Sequence, residues 1–126
     1  MIVMGISSSR AVCALAFLLS SAMTPAALAH AHLKQQSPAA DSHVAAPQAL
    51  TLNFSEGVEP AFSGVVVTDE KQQVVKTGTV TRDQHDTSQL TIPLDQTLSA
   101  GTYQVDWHVV SVDGHKTKGS YRFSVK

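Results

Sequence analysis

A strict two-residue alternation near the C-terminus constrains this chain more than any other feature. Tyr103, Val105, Trp107 and Val109 alternate with Gln104, Asp106, His108 and Val110. Tyr121, Phe123 and Val125 alternate with Arg122, Ser124 and Lys126. A period of two sends successive side chains to opposite faces, so each run predicts a half-buried β-strand with Trp107 and Tyr103 as core aromatics. Asp113-Gly114 between the runs is a turn signal.

Weaker copies of the pattern fill the preceding chain. Leu50, Leu52 and Phe54 alternate with Thr51, Asn53 and Ser55, and Leu90, Ile92 and Leu94 alternate again, with Pro93 implying an edge or a strand end. Residues 62–68 are rich in valine, with Gly64 as a candidate bulge. Residues 73–80 read as a weaker strand before a polar stretch at 81–88. Residues 32–36 read as a first extended segment, and 38–47 as a connecting loop. About seven short strands without a convincing helix predict an all-β fold, an immunoglobulin-like Greek-key β-sandwich. An open barrel of the same strands is the structural alternative.

The start of the chain has a different character. Arg10 precedes an apolar run over residues 11–19, and small residues then lead to Ala27-Leu28-Ala29. This is the pattern of a cleavable secretory leader over residues 1–29, followed by one domain over residues 30–126. The run is short for a membrane span, and a retained anchor is the alternative. Cys13 lies before most of the run, whereas a lipid-modified cysteine would follow it. The leader takes with it the only cysteine and all three methionines, Met1, Met4 and Met23, and leaves all six histidines in the domain. The domain then carries about two more carboxylates than basic side chains, without the basic stripe of a nucleic-acid surface. No second apolar span follows, so no membrane insertion is expected after cleavage.

Cleavage after Ala29 would give His30 a free α-amine beside its own imidazole. Asp113 and His115 stand two positions apart much later in the chain. Copper(II) favours nitrogen and oxygen donors in a tetragonal plane, and these three residues offer three nitrogens and one oxygen. Reference pKa values of about 8 for the amine and about 6.5 for histidine make the donor forms accessible near neutral pH. His30 would lie beside Asp113 and His115 if the first strand paired in parallel with the last. A second mode uses the same terminus. A free amine with histidine at the third position, here His32, is an amino-terminal copper/nickel motif that binds through backbone amides and needs no fold. The plainer readings are a turn role for Asp113 and solvated loops for His43, His85, Glu56 and Glu59. His108 reads as a surface residue able to orient a ligand by a hydrogen bond.

The segments HAHL, SPAADS, LNFSEGVEPAFSG and GTYQVDWHVVSVDGHKTKG, followed by YRFSVK, resemble the CopC/PcoC-type periplasmic copper-binding proteins, and among them the YobA-like subgroup. The resemblance spans nearly the whole of residues 30–126. It implies a small periplasmic β-sandwich or barrel whose Cu(II) ligands are His30, Asp113 and His115. It also implies a CopD-type inner-membrane partner. Some members carry a methionine-rich loop for Cu(I). The equivalent stretch here, about residues 68–89, has none, so one Cu(II) site and no Cu(I) methionine site are expected.

The leading expectation is therefore a non-enzymatic copper carrier or buffer in copper homeostasis and resistance. The first alternative is a copper-dependent oxidative enzyme like the polysaccharide monooxygenases, which also use an N-terminal histidine on an immunoglobulin-like sandwich. Those enzymes keep positions open for oxygen, and Asp113 would help to fill the plane here. The second alternative is a metal-free adhesion or interaction domain.

Overall fold

The computed structural model describes residues 31–126. The expected leader and His30 lie outside the described residues. Nine strands form among those described: β1 (Leu33–Ser37), β2 (His43–Val44), β3 (Ala49–Phe54), β4 (Gly64–Thr68), β5 (Val74–Val75), β6 (Thr81–Arg82), β7 (Gln89–Pro93), β8 (Gly101–Val110) and β9 (Lys116–Val125). One 3-10 turn, Pro60–Phe62, leads into β4. The strands divide into a sheet of order β1-β3-β7-β6 and a sheet of order β2-β9-β8-β4-β5. This is the expected sandwich of two sheets.

Alternation explains the core. Leu50, Leu52 and Phe54 of β3 and Leu90 and Ile92 of β7 face Val67 of β4, Tyr103, Val105, Trp107 and Val109 of β8, and Tyr121, Phe123 and Val125 of β9 in one buried cluster. Each such side chain removed from water contributes about 1.5–3 kcal/mol. Phe54 meets Trp107 edge-on across the sandwich at 5.2 Å between ring centroids, and Tyr103 stacks with Phe123 at 5.8 Å. Both strong terminal runs are strands, paired antiparallel from Gly101↔Val125 to Val110↔Lys116.

Several weaker expectations change. The two-residue strands β2 and β6 arise inside the stretches read as a loop and a polar segment, because neighbouring edges offer them unpaired backbone groups. The expected strand at 73–80 shrinks to β5, and Thr77 forms instead an isolated bridge with Leu94, just past the end of β7. Gly64 is no bulge: it pairs in regular register with His108. Pro93 ends β7, as expected. The conditional pairing of first and last strands does not occur. β1 pairs antiparallel with β3, and the parallel neighbour of β9 is β2.

Two residues show how tightly the β8–β9 ladder is specified. Gly119 lies opposite Trp107, and a Cβ at position 119 would come within 2.5 Å of the indole. The ring occupies the space a side chain would need. Gly119→Ala should therefore lower stability by about 1–3 kcal/mol through overpacking, read from urea denaturation by the fluorescence of the single tryptophan. Tyr121 is the opposite case. Its hydroxyl is buried without a hydrogen-bond partner among the described residues, and burial pushes its ionisation well above the ordinary phenol range. Tyr121→Phe removes an unsatisfied polar atom and keeps the ring, so it should raise stability by about 1 kcal/mol in the same assay.

Candidate metal centre

The loop between β8 and β9 is closed by its own backbone. The Ser111 N–H donates to the His115 carbonyl at 2.9 Å, and the Gly114 N–H donates to the Ser111 carbonyl at 2.8 Å. Gly114 takes φ +92° with open space around it, so backbone conformation and not crowding favours glycine here. The Asp-Gly turn signal is thus realised. Its geometry returns Asp113 and His115 to the same side: His115 Nδ1 lies 3.1 Å from Asp113 Oδ1, and each side chain is about half exposed.

Ser111 anchors this pair from below. It is almost completely buried, and its hydroxyl donates a short hydrogen bond to Asp113 Oδ1 while accepting the His115 N–H at 3.2 Å. The hydrogen bond from Ser111, followed by that from His115, holds the Asp113 carboxyl below its ordinary range. The loop is fastened to its neighbour as well. Val112 N–H donates to the Gly57 carbonyl at 3.0 Å, Glu59 N–H donates to Val110 at 2.8 Å, and Val58 bridges to Ser111.

The same 55–59 segment holds the N-terminal end of the described chain. His32 N–H donates to Ser55 Oγ at 2.8 Å, and Ser55 N–H returns a bond to the His32 carbonyl at 2.8 Å. Ala31 is buried, and its carbonyl accepts the Thr117 hydroxyl at 3.1 Å. Residue 31 is therefore fixed to the strand that begins one residue after His115, although β1 itself belongs to the other sheet. His30 precedes it, outside the described residues.

Among the described residues, no three His, Cys, Asp or Glu side chains cluster as a metal-binding group. Asp113 and His115 are brought together as a pair, and they are donors that suit Cu(II). The side chain of His32 is exposed, as are His43 and His85. His108 lies exposed on the outer face of its sheet against Gly64. Glu59 is more than a solvated loop residue. It binds Arg82 at 3.2 Å, and Arg82 also donates to the Val58 carbonyl. No helix among the described residues is long and apolar enough to cross a membrane. Sequence reasoning missed Ser55, Ser111 and Thr117. Each is an ordinary polar residue in its local pattern, and only its partner across the fold gives it a role.

The Asp113 shift has a checkable consequence. A carboxyl stabilised in its charged form contributes stability above its unfolded pKa, near 3.8, and loses that contribution as pH falls through its lower folded value. Ser111→Ala should move Asp113 upward toward 3.8 and narrow this acid-side loss, as measured by carboxyl-carbon NMR titration of metal-free protein. An unmoved Asp113 would show that Ser111 does not set its charge.

Known proteins match this arrangement along nearly its whole length. The CopC domain family matches residues 33–126. Protein YobA of Escherichia coli (strain K12) is 60% identical over 114 residues, covering 90% of this chain and 92% of that protein. The crystal structure of CopC from Methylosinus trichosporium OB3b superimposes with a TM-score of 0.71 at 36% identity, covering 77% of this chain and 94% of that one. That of PcoC, a methionine-rich copper resistance protein from Escherichia coli, gives a TM-score of 0.70 at 41% identity and covers 78% and 100%. By family match, identity and fold together, the chain belongs to the CopC family and groups with its YobA-like members.

Proposed function

We propose that this protein binds Cu(II) at one site made by His30, Asp113 and His115, and acts as a periplasmic carrier or buffer in copper resistance. The observation that carries this reading is the Thr117–Ala31 hydrogen bond of 3.1 Å. It fixes the residue after His30 to the strand that starts beside His115. Cleavage of residues 1–29 would make His30 the first residue and supply its amine together with its imidazole. Asp113, held ionised by Ser111, would cancel one unit of the metal's charge. Relatives named for copper resistance support the metal and the role.

The chemistry favours Cu(II) over Cu(I). Soft Cu(I) prefers thioether and thiolate donors, and from Ala31 onward the chain contains neither methionine nor cysteine. A two-site exchange between oxidation states has no donors in this domain. The reading is of a binding protein and not an enzyme: a filled equatorial plane leaves little room to activate oxygen. Delivery to a CopD-type inner-membrane partner is part of the same proposal.

The amino-terminal mode through His32 predicts a different pattern, and the structure gives a reason to disfavour it. That mode needs the His32 amide nitrogen deprotonated on the metal, whereas here this N–H is donated to Ser55. Copper titration of the protein beginning at His30, followed by paramagnetic resonance, separates the two. Losing a group that merely orients a ligand costs about 10–100-fold in affinity, so His115→Ala or Asp113→Ala should cost about 100-fold or more, and His32→Ala far less. Affinity should fall as pH drops, because protons compete for the nitrogens. Unchanged affinity in His115→Ala with loss in His32→Ala would assign the copper to the amino-terminal motif instead.

A further inference from the structure

We propose that a groove on the outer face of the five-stranded sheet, beside the Asp113–His115 loop, docks a partner protein through an acidic segment bearing an apolar side chain. The groove has a volume of about 800 Å³ and is lined by Phe62, His108, Val110, Lys116, Thr117 and Lys118. Register explains why these residues meet. Gly64, His108 and Lys118 lie side by side across β4, β8 and β9, and Val110 lies beside Lys116. Gly64 has no side chain, so the row next to Phe62 is low and the groove stays open. A Cβ at position 64 would already stand 3.1 Å from His108 Cε1.

Phe62 is 67% exposed, a large apolar surface for a side chain at the end of a 3-10 turn. Lys116 and Lys118 project from the same face of β9, and neither joins an ion pair among the described residues. Two nearby carboxylates already have partners. Asp106 accepts from the Gln104 amide at 3.1 Å, and Glu59 binds Arg82. The result is a basic rim around an apolar floor on a chain whose formal charge is −1.

That combination selects the occupant. Carboxylates complement the two lysines, and an apolar side chain covers Phe62. A second copy of the chain fits poorly, because a two-fold contact would set the same lysines against each other. A bilayer surface is told apart from a protein partner by the vesicle arm of the test below. The surface stands on its own geometry. That its partner donates or receives the metal rests on the copper reading above, since Lys116 follows His115 directly and Thr117 holds Ala31.

The test is an amide NMR titration of metal-free exported protein with two synthetic peptides, Asp-Glu-Leu-Phe-Glu-Asp and Lys-Arg-Leu-Phe-Arg-Lys, and with phosphatidylglycerol vesicles. The acidic peptide should shift signals at Phe62, His108, Lys116 and Lys118, and should bind about tenfold more weakly in the K116E/K118E double variant and in high salt. Phe62→Ser should weaken it independently. These sites are exposed, so the variants should fold. Equal binding of both peptides, shifts centred elsewhere, or no shifts at millimolar peptide would overturn the proposal. So would vesicle binding without peptide binding, or concentration-dependent shifts of the protein alone. His115→Ala should leave peptide binding intact while copper binding falls, so failure of the groove and failure of the metal site are told apart.

Discussion

The ladder between β8 and β9 is the constraint on which the other features depend. It runs unbroken from Gly101↔Val125 to Val110↔Lys116 and forms the centre of the larger sheet. A slip of one residue would turn Tyr103, Val105, Trp107 and Val109 to solvent and bring Gln104, Asp106 and His108 inward. The indole of Trp107 over Gly119 adds a steric lock to that hydrophobic choice, since any side chain but hydrogen would collide there. With the register fixed, the length and conformation of the connecting turn are fixed too. Asp113 and His115 inherit their positions from the core below them.

The Asp113–His115 pair is exposed, but Ser111 beneath it is buried. Ser111 lies within the fold and orders the loop through side chain and backbone at once. The 55–59 segment bonds to His32 on one side and to Val110 and Val112 on the other. Each such bond contributes only about 1 kcal/mol net. Their joint effect is positional: they remove conformational freedom from two segments far apart in sequence before any ligand arrives, which lowers the ordering cost of binding. PcoC shares this fold, although the methionines for which it is named have no counterpart in the described residues here.

The outer face of the same sheet carries a second consequence of the ladder. Alternation that buries Trp107 and Val109 necessarily sends His108 and Val110 outward, next to Lys118 and Lys116. Gly64 leaves that row uncovered, and Phe62 flanks it. The Asp113–His115 loop and this groove thus lie on adjoining stretches of one hairpin.

Much of this was written into local pattern. Period-two runs determined the strands, the all-β class and the core aromatics, because strand geometry converts alternation directly into burial. Asp113-Gly114 determined the turn, because the backbone there favours glycine. The residue types of Asp113 and His115 marked them as a nitrogen and oxygen donor pair, which the turn then brought together. The two-residue strands β2 and β6 escaped notice because they exist only where a neighbouring edge supplies partners. The route of the N-terminus was misjudged for the same reason: β1 joined β3, and the link to β9 came instead from one threonine hydroxyl. Sequence by itself thus determined which side chains could be buried, turned or made to bind. Only the tertiary structure decided which of them meet, because hydrogen bonds such as Thr117 to Ala31 and Ser111 to Asp113 depend on distance in space, which one-dimensional periodicity does not encode.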